Sequence, residues 1–493
     1  MEALLGINVG TTGTTCLITN DRGQVLGRAY AQTGLQTPGP DRAEQDPDEW
    51  WRAVSSTCRE ALDQAKGPDI AAVGLSGQTN AVVPVDSSGR PLGPAMIWMD
   101  RRAQAEAQQV HLKVGAEEVA SRLGVRIDPF YAYVKMIWAH SNWEAFRRCR
   151  LSMSSSGWIC QRLTGRAVLD RTQASAAGLV RLQEEKIAVD FLKNIGVPVG
   201  KLPPLVPPEE MVGQVSSAAA ADTGLKAGTP VVAGLCDVAA NALAAGTNRR
   251  GDANLKLGTA SDLTVCTDRP LPDKQGRTVA YRHALPDLWL AVAGESAGGS
   301  VHRWFAESLF PGDDPYGAME QEASQAPPGA EGLVFLPYLT GSRSPFWDPS
   351  ARGLLAGLAP EHTRGHMARA VLEGLACTLG LRVAILVKNG IRVGMFSATG
   401  GGAQSDLWLQ IIADVTGRDV QRLVVTDIES RGAATVAGMG CGLINNPVQL
   451  AADTNKPERL FRPNPKNEKM YRNLMNRFET LVRQTGQADG GKQ

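Results

Sequence analysis

The sequence predicts an α/β protein assembled from two sheet-bearing halves. Three observations carry the prediction. Short apolar β-like runs alternate with segments of helical periodicity, the order that builds mixed sheets covered by helices. At 493 residues the chain is too long for one hydrophobic core, and two large domains are the natural division. A strand, a Gly-Thr turn and a second strand open at Gly10 and again at Gly258, about half the chain apart, which reads as an internal duplication.

The elements follow in order. ALLGINVG runs through TTG into TTCLITND, and RG then turns the chain into QVLGRAYAQT. After a Pro/Gly loop, Asp46 or Asp48 starts the helix PDEWWRAVSSTCREALDQA, with Pro47 at an early helical position. Trp50, Trp51, Val54, Cys58, Ala61 and Leu62 share its apolar face. IAAVGLSG and AVVPVD are the next β-like runs, and residues 105 to 225 are mostly helical. The pattern then restarts: TPVVAGLCD reads as a buried strand, VAANALAAG as a small-residue helix, and ANLKLGTASDLTVCTD as the second hairpin. SATGGGAQSDLWLQIIADVTG is a glycine loop feeding a helix with Ser405 as N-cap. SRGAATVAGMGCG reads as a helix packed closely against its neighbours. The halves divide as residues 1–246 and 247–450, followed at 451–493 by a helical segment and a polar tail, of which QTGQADGGKQ is expected to be disordered.

Composition excludes several function classes. Lys plus Arg number 51 and Asp plus Glu 50, so a net charge of +1 gives no pull toward nucleic acid or an anionic membrane. The run Val231 to Gly246 is broken by Asp237 and Asn241 and is too short to span a bilayer. The first residues lack the basic and apolar regions of a signal peptide. Eight scattered cysteines form no CxxC pair, which argues against zinc and for a reducing, cytoplasmic setting. The six histidines show no ligand spacing and read as surface or capping residues.

The Gly-Thr turns carry the chemistry. Glycine lets a ligand approach the backbone, and threonine N–H and hydroxyl groups donate to phosphate oxygens; a plain hairpin turn has the same composition. Asp237 ends an apolar strand and begins a helix. It reads as an N-cap, or as a carboxylate that takes a proton from a substrate hydroxyl while a γ-phosphoryl group leaves ATP.

The ordered set GINVGTTG, EQDPDEWW, GLSGQTNAVVPVD, WMDRRA, VVAGLCDVAA, LGTAS, FLPYLTGSRSPFWDP, RAVLEGLA and GGGAQSDLWLQIIAD resembles the FGGY carbohydrate kinases, and within them the xylulose-phosphorylating members. The resemblance implies two actin-like, ribonuclease-H-type domains flanking a deep inter-domain cleft, with the sugar on the first and MgATP on the second. It implies Asp237 as general base, with Gln78, Thr79, Asn80 and Asp100 as sugar contacts. It implies Thr11, Thr12 and Gly13 as the first phosphate loop, Gly258 and Thr259 as the second, and Gly299, Gly402 and Asp406 beside the nucleotide. Position 8, with Asp237, would support Mg²⁺ through water. The acceptor so implied is a ketose, D-xylulose first, then other ketoses or polyols; a non-catalytic binding relative is the rival. The partner is a small sugar, with no nucleic acid or membrane, and a homodimer is one assembly left open.

Three positions depart from the family pattern. Asn8 stands where the family usually has aspartate, which leaves an amide without negative charge beside the metal. Thr79-Asn80 replaces Met-His, and Val238 replaces the asparagine that usually follows the base. The last two fall on the sugar side.

Overall fold

In the computed structural model, which describes residues 2–486, both halves are mixed sheets with helices on their faces. The tail whose disorder the sequence predicts lies largely at 487–493, outside the described residues. The first half contributes β1 (Glu2–Val9), β2 (Gly13–Asn20), β3 (Val25–Gln32), α1 (Pro47–Gln64), β4 (Asp69–Gly77), β5 (Met211–Gln214), β6 (Pro230–Val232), β7 (Leu235–Cys236) and α2 (Asp237–Ala245). The second contributes β8 (Ala253–Leu257), β9 (Ser261–Thr267), β10 (Val279–Arg282), β11 (Trp289–Glu295), α3 (Gly299–Leu309), α4 (Pro315–Gln325) and α5 (Arg364–Lys388). It continues with β12 (Phe396–Thr399), α6 (Asp406–Thr416), β13 (Val420–Leu423), α7 (Ile428–Gly440), α8 (Pro447–Thr454), β14 (Pro457–Phe461) and α9 (Glu468–Gln484).

The duplication is visible in the strand order. The first sheet runs β3-β2-β1-β4-β6-β5 and the second β11-β9-β8-β12-β13-β14, with β7 beside β4 and β10 beside β11. In both, the first two pairings are antiparallel, the next two parallel and the last antiparallel. Open sheets with parallel strands bind ligands beyond the carboxyl ends of those strands. In the first half these ends belong to β1, β4 and β7, and they lead into Gly10, Gln78 and Asp237. In the second they belong to β8 and β12, and they lead into Gly258 and Gly400.

Local sequence explains the elements that position these ends. Asp46 caps α1 by accepting from the Asp48 N–H, with Pro47 in the first turn, where its missing N–H costs nothing. Trp50, Trp51, Val54, Cys58 and Ala61 bury the predicted face of α1. The small-residue helix α7 crosses back onto the first sheet. Gly6 and Gly74 are register partners on β1 and β4. A Cβ on either would stand 1.9 Å from a carbonyl oxygen of α7, Ser430 O or Ala433 O. Paired glycines thus leave a bare track on which the helix backbone sits directly. Gly432 does the same against α2, where a Cβ would be 2.2 Å from Ala240 O.

The halves also meet at β10. The Ala280 N–H of β10 donates to Gly124 O at 2.8 Å, and the Arg282 N–H donates to the Ser175 hydroxyl at 3.0 Å. Tyr281 and Leu290 share one core with Tyr133 and Val134 of the helical middle segment. The one described helix long and apolar enough to cross a membrane is α5, and 83% of its apolar window is buried within the fold. Two histidines differ from the surface reading. His283 is buried at 2% exposure with its Nε2 3.0 Å from Thr247 O, and His302 is buried at 6%. His366 does cap α5, its Nδ1 accepting from the Thr363 N–H.

Candidate active site

Asp237 is the first residue of α2, one position inside the cap, which is Cys236. Its Oδ1 accepts from the Val238 N–H at 2.9 Å. The N-cap reading therefore gives way to a carboxylate aimed from the first turn. Burial pushes its pKa up to about 7. The Lys256 charge opposes that rise, and the carboxylates of Glu429 and Asp262 reinforce it. A carboxylate poised near neutrality is suited to general-base work at physiological pH.

The groups acting on Asp237 come from three elements. Lys256 lies on β8 and Asp262 on β9, so they bracket the Gly258–Thr259 turn. Glu429 is in the first turn of α7. Lys256 Nζ pairs with Glu429 Oε1 at 2.5 Å, and Asn241 Nδ2 donates to the same oxygen at 3.3 Å. Neither Lys256 nor Glu429 stands out in the sequence. The available signal is the charge in the otherwise apolar strand ANLKL.

The first turn is wired to the sugar-side residues. Thr11 Oγ1 donates to Gln78 Oε1 at 3.3 Å and accepts from Trp98 Nε1 at 2.9 Å. Gln45 Nε2 donates to Thr11 O, and Gln78 Nε2 donates to Gln45 Oε1 at 2.7 Å. Gln78 is thus an organiser, with both ends of its amide in use. Thr12 is exposed and its carbonyl accepts from the Tyr30 hydroxyl. Gly13 has a packing reason, since a Cβ would meet Tyr30 OH at 2.5 Å. Asn8 Oδ1 is buried without an internal partner.

Two predicted sugar contacts, Asp100 and Asn80, are buried and make internal bonds. Asp100 has no exposed surface; its carboxylate accepts from the Ala43 N–H and from the Arg102 guanidinium. These bonds hold the WMDRR segment in place. Asn80 is 1% exposed with φ of 64°, and its Oδ1 accepts from the Ala132 N–H. Its carbonyl, with Phe130 O, receives the buried Lys135 ammonium. Thr79 is buried beside it at 7% exposure. Trp98, within the WMDRRA run but not singled out by sequence, is the half-buried group here, edge-on to Phe130 at 5.9 Å.

On the second half a cavity of about 520 Å³ holds most of the predicted nucleotide residues. Gly258, Thr259, Gly299 and Gly402 line it, with His302, Tyr316 and Glu320. A Cβ on Gly258 would meet nothing closer than 3.8 Å, so this turn is open to a ligand. The N–H groups of Gly299 and Ser300 donate to Gly258 O and Thr259 O, docking the start of α3 under the turn. His302 lies between Tyr316 and Trp408, and its Nε2 is buried without a partner. Asp406 does not line the cavity; Arg422 and Arg459 hold its carboxylate, and Ser405 takes its place in the lining.

Matched sheets, each presenting a Gly-Thr turn at its parallel-strand ends, with the raised-pKa carboxylate of Asp237 beside the second turn, define a two-lobed ATP-dependent phosphotransferase. The family models agree. The FGGY family of carbohydrate kinases, N-terminal domain, matches residues 3–244, and the C-terminal domain of that family matches residues 253–441. The chain belongs to the FGGY family of carbohydrate kinases, and it is a sugar kinase. It is 30% identical to a gluconokinase from Bacillus subtilis, over 97% of this chain and 95% of that protein. It is 27% identical to a xylulose kinase from Staphylococcus epidermidis, over 99% and 97%. The crystal structure of xylulose kinase from Rhodospirillum rubrum matches with TM-score 0.90, 31% identity and 98% coverage of both chains.

Proposed function

We propose that this kinase transfers the γ-phosphoryl group of ATP to a hydroxyl of a ketose, D-xylulose first. The placement of Asp237 at the carboxyl ends of the parallel strands, opposite the open Gly258 turn, carries the reading. Asp237 accepts the proton of the attacking hydroxyl. That oxygen bonds to the γ-phosphorus as the bond to the bridging oxygen breaks, and ADP departs with the electron pair. Thr11, Gln78 and Trp98 orient the sugar side, and the Gly258–Thr259 turn with the start of α3 receives the phosphates. Closure of the halves excludes water, a competing acceptor.

The donors present fit Mg²⁺. They are oxygens only, with the unpartnered amide oxygen of Asn8 and the Asp237 carboxylate on the first half. Among the described residues no cluster of three His, Cys, Asp or Glu could hold the ion alone. Phosphate oxygens and water would supply the remaining ligands, and the ion would neutralise charge on the transferring group. Eight free thiols, seven of them buried, support a cytoplasmic setting.

A second reading is a sugar acid such as gluconate. Arg343 lies over Phe130 at 5.3 Å and Arg126 over Trp347 at 4.1 Å, next to the Trp98 wall. Arg126 Nε makes no hydrogen bond and stands 3.9 Å from the Asp128 carboxylate. Either guanidinium offers a site for a carboxylate. Coupled ADP release over xylulose, other ketoses, polyols and gluconate, with Asp237→Ala as control, decides between them. Sugar-dependent ADP release with xylulose supports the first reading and with gluconate the second. Sugar binding without ADP release overturns both.

A further inference from the structure

An open concavity lies where the linker meets both halves, on a different set of elements from the proposed catalytic residues. Its volume, about 490 Å³, is nearly that of the nucleotide cavity and is in the range of small-molecule sites. One wall is the end of α2 and α8, which are tied together by Asn455 Nδ2 donating to Ala244 O. The linker Arg249–Ala253 forms the floor, and Arg392, Ser397 and Gln421 of the second half form the opposite wall.

Its charge is one-sided. Arg249, Arg250 and Arg392 line it against a single acidic residue, Asp252. The Asp252 carboxylate is occupied by the backbone N–H groups of Asn248 and Arg249. Arg250 pairs with Asp268 at 3.1 Å. Arg249 and Arg392 have no side-chain hydrogen bond or ion pair among the described residues. The Arg392 stem lies 3.3 Å from where a Cβ on Gly251 would stand, which brings it against the linker. Ala451, Val448 and Met395 add apolar surface, and Ser397 and Asn455 add polar edges. Three exposed arginines against two carboxylates, with the Arg249 charge acting on Asp252 and Arg250 on Asp268, leave a net positive concave wall with apolar and polar patches, which matches a phosphate ester with a hydroxyl-bearing body.

We infer that this cavity is an effector site for a small phosphate monoester, which bridges the linker arginines to Arg392 and restrains the joint. The site uses no residue assigned to the reaction, and it stands whichever sugar is the acceptor. A bound monoester holds the linker to the second half and resists the change of angle that closure requires, so turnover slows. Allosteric couplings are commonly five-fold or more.

The test uses the full-length protein with both substrates saturating. Inorganic phosphate and glycerol phosphate are titrated as probes, and both turnover and heat of binding are followed. The expected result is a fall in turnover of about five-fold that neither substrate reverses. Arg249→Ala and Arg392→Ala each abolish the inhibition and the heat while leaving basal turnover unchanged; Arg392→Lys retains part of both. Inhibition by glycerol phosphate but not inorganic phosphate assigns the site to an organic ester. Equal inhibition by both assigns it to the phosphate group alone. The inference is overturned if inhibition is competitive with a substrate, if the arginine variants bind the probes as the parent does, or if those variants change only the sedimentation behaviour. Melting temperatures of all variants distinguish loss of the site from loss of the fold.

Discussion

The ammonium of Lys256, on the second half, is bonded at 2.5 Å to the carboxylate of Glu429, on a helix seated against the first half. The pair spans the joint beneath Asp237. Lys256→Met leaves Glu429 without its cation and Asp237 facing two carboxylates with no opposing charge. Breaking a fully buried pair costs about 3–5 kcal/mol. The Lys256 side chain is 44% exposed, so the expected loss is lower, about 1–2 kcal/mol. Lys256→Met/Glu429→Leu should recover much of it. Denaturant titrations of the two single variants and the double variant check this, and additive losses would rule the pair out as a stabilising unit.

Asp237 controls two pH dependences of opposite sense. As the proposed base it must be ionised, so turnover should rise with pH to a plateau above its pKa of about 7. Asp237→Asn should lower turnover by about a hundred- to ten-thousand-fold. For stability the raised pKa works the other way. The folded chain holds this proton up to about pH 7, while an unfolded carboxylate releases it near 3.8. Stability from this group is therefore full below about pH 4 and is lost as pH rises toward 7. Asp237→Asn should melt higher than the parent at pH 8 and alike at pH 4. Equal melting temperatures at both would place the carboxylate in a solvated setting.

Much of this arrangement was legible from residues alone, and the remainder had a physical reason for staying hidden. The hairpins at Gly10 and Gly258 and the cap at Ser405 follow from local rules that packing did not override. Asp100 and Asn80 read as sugar contacts because the family resemblance places sugar contacts at their positions. The Asp100 carboxylate and the Asn80 amide oxygen are bonded to the Ala43 and Ala132 N–H groups, more than fifty positions away, which no window on the sequence brings together. The Lys256–Glu429 pair joins residues 173 positions apart, so no window on the sequence brings them together. His302 read as a surface residue because its neighbours Tyr316 and Trp408 come from other elements.

Asn8 tests how the metal is held. Its Oδ1 has no internal partner, which suits a bound water or the ion itself. Asn8→Asp adds a negative charge to an oxygen already in place. The magnesium concentration for half-maximal turnover should fall several-fold, and calorimetry should show tighter binding of the magnesium–ATP complex. An unchanged magnesium requirement would assign the ion wholly to phosphate and water.

His302 gives the proposed nucleotide cavity a buried, unpartnered imidazole nitrogen, held between two aromatic rings. Burial lowers its pKa to about 4, so the ring is neutral at working pH and presents a fixed hydrogen-bonding group. A nucleotide that pairs with Nε2 loses that bond in His302→Phe, which retains an aromatic ring in the stack. Leaving a buried hydrogen bond unmade costs about 1–3 kcal/mol, a rise of about ten-fold or more in KM for ATP. The KM for the sugar and the turnover at saturating ATP should hold steady, because the ring lies in the nucleotide cavity and not beside Asp237. Steady-state kinetics with each substrate varied in turn measures the split. A rise confined to the sugar KM would show that the cavity serves some other ligand.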